Sequence, residues 1–195
     1  MFSWYINAMT VAGPAKDLRA FADAARSADT CFSLETLLPT PAQLQAPAPL
    51  GAFDTSKYGA DDRLRARLEA DVARCGNSEW VGWRTAHWGT PWDAEGAFTI
   101  GIGPIENDPL DRASADYFFS TVNDGPLRAI ETLSRGYPTL LFVLSFRAET
   151  EYFDDDRSTF LFLGGWCLDP MEVPFGTLDL HRGRAQRDDM RSEKH

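Results

Sequence analysis

The stretch from Tyr117 to Phe146 restricts the fold more than any other part of the chain. Tyr117 to Val122 has the aromatic and β-branched make-up of a strand. Asn123-Asp124-Gly125-Pro126 follows as a turn, with Pro126 placed to start a helix. Leu127, Ile130 and Leu133 give that helix its apolar stripe, and Gly136 ends it. Thr139 to Phe146 is then a strongly apolar strand, and Phe160 to Trp166 reads as another beyond the acidic stretch Glu149 to Asp156. Strand, helix and strand in so short a span form a unit whose helix must lie across the sheet its strands join.

The first part of the chain has the same grammar. Phe2 to Val11 alternates in part as a strand, Gly13-Pro14 breaks it, and Leu18, Phe21, Ala22 and Ala25 mark a helix over 15–27. Cys31 to Leu38 reads as a second, short extended run. Prolines 39, 41, 47 and 49 with Gly51 describe a long excursion. Leu64, Leu68 and Val72 predict a helix over 60–74. Asn77 or Ser78 can cap a further helix that carries Trp80, Trp83, His87 and Trp88 and stops at Gly89. Ala97 to Ile102 resembles a strand with glycines, 103–115 a polar loop, and 170–180 one more edge element. The order predicts an α+β domain: an antiparallel sheet with helices on one face, in the split βαβ arrangement, with a helical section inserted at about 41–90. One domain over 1–180 and a basic tail over 181–195 account for all 195 residues.

Charge narrows the function classes. The net charge is -10, and residues 116–180 carry -7 of it, while residues 181–195 carry +2. So acidic a body repels nucleic acid and anionic lipid as whole-protein partners, and leaves direct nucleic-acid contact to the Arg182, Arg184, Arg187 and Arg191 tail. A solvated acidic face accounts for the same numbers. No run approaches the roughly 20 apolar residues of a membrane span. The opening residues lack a basic n-region and read as a strand, so the expectation is a cytoplasmic protein.

Several segments resemble one family. They are Asn7 with Val11-Ala12-Gly13-Pro14, Phe32-Ser33-Leu34 with Leu37-Leu38-Pro39-Thr40-Pro41, and Trp83 with His87-Trp88-Gly89-Thr90-Pro91-Trp92-Asp93-Ala94. Tyr117-Phe118-Phe119-Ser120-Thr121, Pro126, Ile130, Leu133-Ser134 and Tyr137-Pro138 complete the set. Together they resemble the YubB-type ferredoxin-like domain of bacteriophage and conjugative-plasmid proteins. The resemblance implies a ferredoxin-like sandwich encoded on a mobile genetic element, and it brings no assigned catalytic residue with it.

Candidate chemistry is sparse. Cys31, Cys75 and Cys167 are too few and too far apart for a cysteine-held iron–sulfur cluster, and no Cys-x-x-Cys or His pairing suggests zinc, so no cofactor or metal is expected. His87, with Asp93 or Glu79 nearby in sequence, is a weak candidate for a general base oriented by a carboxylate; packing among tryptophans is its plainer role. Trp88 and Trp92 belong to a tryptophan-rich stretch that reads either as a stacking surface or as a packed mini-core. Glu149, Glu151, Asp154, Asp155 and Asp156 form an acidic run without the spacing of a calcium loop, and serve as a candidate contact for a basic partner. The expectation is a non-enzymatic binding protein, an acidic nucleic-acid mimic inhibiting a basic host defence or DNA-handling factor. The alternative is a small hydrolase or nuclease using His87 with nearby carboxylates.

Overall fold

A computed structural model describes residues 3–45, 62–77, 79–105, 108, 110, 112–149 and 158–168. The chain runs β1 (Trp4–Pro14), α1 (Ala15–Ala25), α2 (Leu34–Leu37), α3 (Ala42–Gln45), α4 (Asp62–Cys75), α5 (Trp80–Trp88) and β2 (Glu95–Pro104). It continues with β3 (Arg112–Val122), α6 (Leu127–Gly136), β4 (Leu141–Ala148), β5 (Ser158–Leu163) and β6 (Trp166–Leu168). Six strands form one sheet in the order β2-β3-β1-β4-β5-β6, and every neighbouring pair is antiparallel. Because β2 and β1 both oppose β3, they run parallel to each other with β3 between them. The same holds for β3 and β4 about β1. Each parallel pair needs a crossover, and α6 provides the second one, between β3 and β4. Among the described residues, no helix is long and apolar enough to cross a membrane.

Period-two alternation decides which side is core. Met9 and Val11 of β1, Tyr117 and Phe119 of β3, and Phe142, Leu144 and Phe146 of β4 join one buried cluster with Leu18, Phe21 and Ala25 of α1. Ala129, Ile130 and Leu133 of α6 enter the same cluster, so both helices cover one face. Phe21 is fully buried at its centre, edge-on to Tyr117, Tyr137 and Phe142 at centroid distances of 6.1, 5.2 and 5.3 Å. Burial first, and the neighbouring Cys31 second, push the Tyr117 phenol up to about 12. On the other face, Leu141, Val143 and Leu161 make a smaller buried cluster against Leu168.

Four expectations are corrected. Cys31 to Leu38 is not extended: α2 forms within it, because Ser33 Oγ accepts from the Thr36 amide at 3.1 Å and Asp93 accepts from the Leu34 amide at 2.6 Å. The polar loop at 103–115 is shorter, since β3 already starts at Arg112 and pairs with Pro14 and Gly13 of β1. Phe160 to Trp166 is a hairpin rather than one strand: Gly164 and Gly165 take φ of 59° and 86°, the paired left-handed values of a tight β-turn. Helix α5 has Glu79 at its N-cap position instead of Asn77 or Ser78, without a side-chain cap bond. The 170–180 element and the 181–195 tail lie outside the described residues.

Two close contacts generate predictions. Gly125 lies directly against the Phe146 ring, so a Cβ there would overlap it. Phe146 cannot yield freely, being packed between Tyr5 and a stacked Phe160 at 5.7 Å. Gly125→Ala is therefore expected to destabilise by about 1–3 kcal/mol in chemical unfolding, with the fold retained. In the β2–β3 connection, the Arg112 guanidinium grips Asp108 with two 2.8 Å bonds, and the Arg112 amide adds a third to the same carboxylate. Those bonds hold the Asp108 carboxyl down to about 2, from an ordinary 3.8. A carboxyl depressed on folding contributes stability that is present above its unfolded value and disappears as pH falls through its folded one. Carboxyl-detected NMR should place the Asp108 midpoint near 2, and Arg112→Lys should move it up towards 3.8.

Candidate interaction surface

The tryptophan-bearing helix α5 has two side-chain rows at i, i+4 spacing. The first is Trp80, Arg84 and Trp88. The Arg84 guanidinium carbon lies 4.9 Å from the Trp80 ring centre and 4.6 Å from that of Trp88, a cation sandwiched between two π faces. Its edge is used as well: Nη2 donates to Glu35 Oε2 and Nε to Thr40 Oγ1, each at 2.8 Å. Thr40 in turn donates its amide and hydroxyl to Glu35 at 3.0 and 2.6 Å. One guanidinium thus ties α5 to α2 and the turn after it. Trp88 is fully buried, and its indole N–H donates to the Leu38 carbonyl at 3.0 Å.

The second row, Trp83 and His87, faces outward. Trp83 rests on the core cluster with one side. The exposed His87 imidazole stacks on Trp83 at 4.2 Å and 13°, with Nδ1 at 2.8 Å from the Trp83 carbonyl. Trp80 is half-buried beside this pair on the adjoining row. The ridge is rigid because its base is pinned by Arg84, and Arg128 of α6 donates to the Ala86 carbonyl at 3.0 Å. At its N-terminal end, burial pushes the Glu79 carboxyl above its ordinary value.

Beyond the helix, Gly89-Thr90-Pro91-Trp92-Asp93-Ala94 is a structural splice. Thr90 Oγ1 donates to the Val122 carbonyl at 2.9 Å and accepts from its amide at 3.2 Å, both buried. Trp92 meets Trp4 edge-on at 5.9 Å. Asp93 Oδ2 accepts from the Ser33 hydroxyl, while Oδ1 accepts from the Leu34 and Ala94 amides, at 2.6–2.7 Å throughout. One residue before Val122 on β3, Thr121 Oγ1 accepts from Asn7 Nδ2 at 2.9 Å and donates on to the Asp124 carbonyl at 2.7 Å.

These placements sort the residues singled out in the sequence. His87 and Asp93 share no hydrogen bond or ion pair among the described residues, and Asp93 has both oxygens committed to the start of α2. Trp88 is in the core, and Trp92 is half-buried against Trp4. Glu149 is exposed at the end of β4, its amide donating to the Trp4 carbonyl at 2.8 Å. Glu151, Asp154, Asp155 and Asp156 lie outside the described residues. Among the described residues no three His, Cys, Asp or Glu side chains are grouped to hold a metal ion.

Two features were missed. The role of Arg84 depends on Glu35 and Thr40, far away in sequence, so the only local signal was the spacing of Trp80, Arg84 and Trp88. Phe98, Ile100 and Ile102 of β2 are 57, 57 and 45% exposed. Their alternation with small residues was visible, but their exposure depends on which parts of the sheet faces the rest of the chain leaves uncovered.

No family model matches the chain, and no curated protein does. Among solved structures it is similar to protein api92 from Yersinia pseudotuberculosis, described under the family model DUF1281, with 8% identity and a TM-score of 0.46. The likeness covers 87% of this chain and 97% of that one.

The cap and the stack separate by mutation. Asp93→Ala removes two hydrogen bonds at the start of α2 and one to the Ala94 amide, and should cost about 1–2 kcal/mol in urea unfolding. His87→Ala, on an exposed stack, should stay within about 0.5 kcal/mol of wild type.

Proposed function

We propose that the chain is a non-enzymatic binding protein built on a ferredoxin-like core, and that the outer face of α5 contacts a protein partner with a basic surface. The observation that carries this reading is the rigid aromatic ridge of Trp80, Trp83 and His87, presented by a chain of net charge -10. Immobilised aromatic side chains lose little conformational entropy on binding, which is why they dominate interface energetics. The acidic charge supplies steering and selection against like-charged competitors. The strand order β2-β3-β1-β4, with α6 crossing between β3 and β4, supports the ferredoxin-like assignment; β5 and β6 extend that core at one edge.

The resemblance to phage and plasmid proteins adds the biological setting: an accessory protein of a mobile element that engages a host defence or DNA-handling factor by mimicking the charge of nucleic acid. The competing reading, a hydrolase or nuclease using His87 and Asp93, gains nothing from an aspartate held in a helix cap.

Capture from a bacterial lysate tests the proposal. At low ionic strength the immobilised protein should retain one or a few basic proteins and release them as salt shortens the range of the field. The double variant Trp80→Ala, His87→Ala, checked for wild-type circular dichroism, should lose that capture at every salt concentration. No basic protein retained, or equal retention by the variant, rejects the reading.

A further inference from the structure

The two ring nitrogens of His87 have different surroundings. Nδ1 is 2.8 Å from the Trp83 carbonyl oxygen, which can only accept, so in the neutral ring Nδ1 carries the proton. Nε2 then holds the lone pair, and among the described residues nothing donates to it. The ring is held in this orientation: it lies flat on Trp83 at 4.2 Å and 13°, and Trp83 rests on the core cluster. The exposed end of the ridge is therefore a hydrogen-bond acceptor fixed by a stack and a hydrogen bond.

A fixed acceptor beside an aromatic face suits a donor that is itself flat. Helix α5 already contains one such pairing. Arg84 lies 4.9 and 4.6 Å from the Trp80 and Trp88 ring centres while its edge donates to Glu35 and Thr40 at 2.8 Å. A guanidinium can stack on a ring and donate from its edge at once, whereas an ammonium is a strongly hydrated point charge. Trp80 and Trp83 are both only half-buried, which leaves ring surface open next to His87.

We infer that His87 Nε2 accepts an N–H from an arginine of the basic partner, whose guanidinium lies against the Trp83–His87 ridge. This rests on the reading of α5 given above and adds the contact, its preference for arginine, and a consequence. A proton and the partner's arginine compete for one lone pair. Histidine is the side chain that ordinarily changes charge between about pH 5 and 8. Once protonated, Nε2 is a donor and the imidazolium repels a guanidinium, so affinity falls on acidification.

The neighbouring charges decide how that fall is read. On α5, Arg84 is paired with Glu35 of α2, and Glu79 stands at the opposite end of the helix. From α6 come Arg128, which donates to the Ala86 carbonyl, and Glu131, paired with Arg135. The arginines keep their charge throughout this range. Glu79, its carboxyl raised by burial, loses charge on acidification and also weakens a basic partner. The part due to His87 is therefore the difference between wild type and a variant that leaves Glu79 in place.

Long-range nitrogen–proton NMR of the full chain at neutral pH should place the His87 proton on Nδ1. Fluorescence anisotropy with a labelled octa-arginine peptide, at about 0.15 M salt, reads the contact. Wild type should bind at about pH 8 and weaken about fivefold or more at pH 5, with unchanged circular dichroism at both ends of the range. It should bind octa-lysine more weakly than octa-arginine. His87→Gln, which keeps an uncharged acceptor, should lose most of that pH dependence. No binding at pH 8 defeats the reading of α5 and this inference with it. Equal weakening in wild type and His87→Gln, equal affinity for octa-lysine, or a proton found on Nε2 overturns the inference alone and leaves α5 as the contact surface.

Discussion

Strand β1 is the interaction on which everything else rests. All eleven of its residues have partners on β3, and eight also have partners on β4. With both edges hydrogen-bonded, its side chains define the two faces: Met9 and Val11 towards the helices, Ala8, Thr10 and Ala12 away from them. Once β1 is central, α1, which leaves its end, and α6, which joins its two neighbours, have only one face to share. The buried Thr10 hydroxyl donates to Asp116 Oδ1 at 2.7 Å, and so satisfies polar atoms across this pairing that burial would otherwise penalise.

Elements whose signal is local were legible in the sequence. The α6 stripe places Ile130 and Leu133 in the core, and the continuous apolar run of β4 is buried on both sides, as a strand covered on both faces requires. Elements that depend on a remote partner were not. Helix α2 exists because Asp93, some sixty positions on, accepts its first amide; no propensity window contains that bond. The first residues of β3 carry little strand character and are extended because β1 is there to pair with them. The candidate site divides in the same way. Aromatic density around Trp83 was plain, whereas which tryptophan faces out depends on where α2 and α6 dock.

Helix α5 shows how one short segment separates packing from presentation. Its two rows are one position apart in sequence, yet Trp88 is buried while His87 is exposed. The difference comes from Arg84. By lying between Trp80 and Trp88 and reaching Glu35 and Thr40, it fixes the rotation of the helix about its own axis. Lysine would keep the charge and lose both the planar stack and the fork, so the identity of this cation matters as much as its sign.

Trp83 and Phe98 lie on different sides of the sheet. Trp83 packs on the cluster beneath α1 and α6, whereas Phe98 stacks on Phe118, whose chain neighbours Tyr117 and Phe119 point the other way into that cluster.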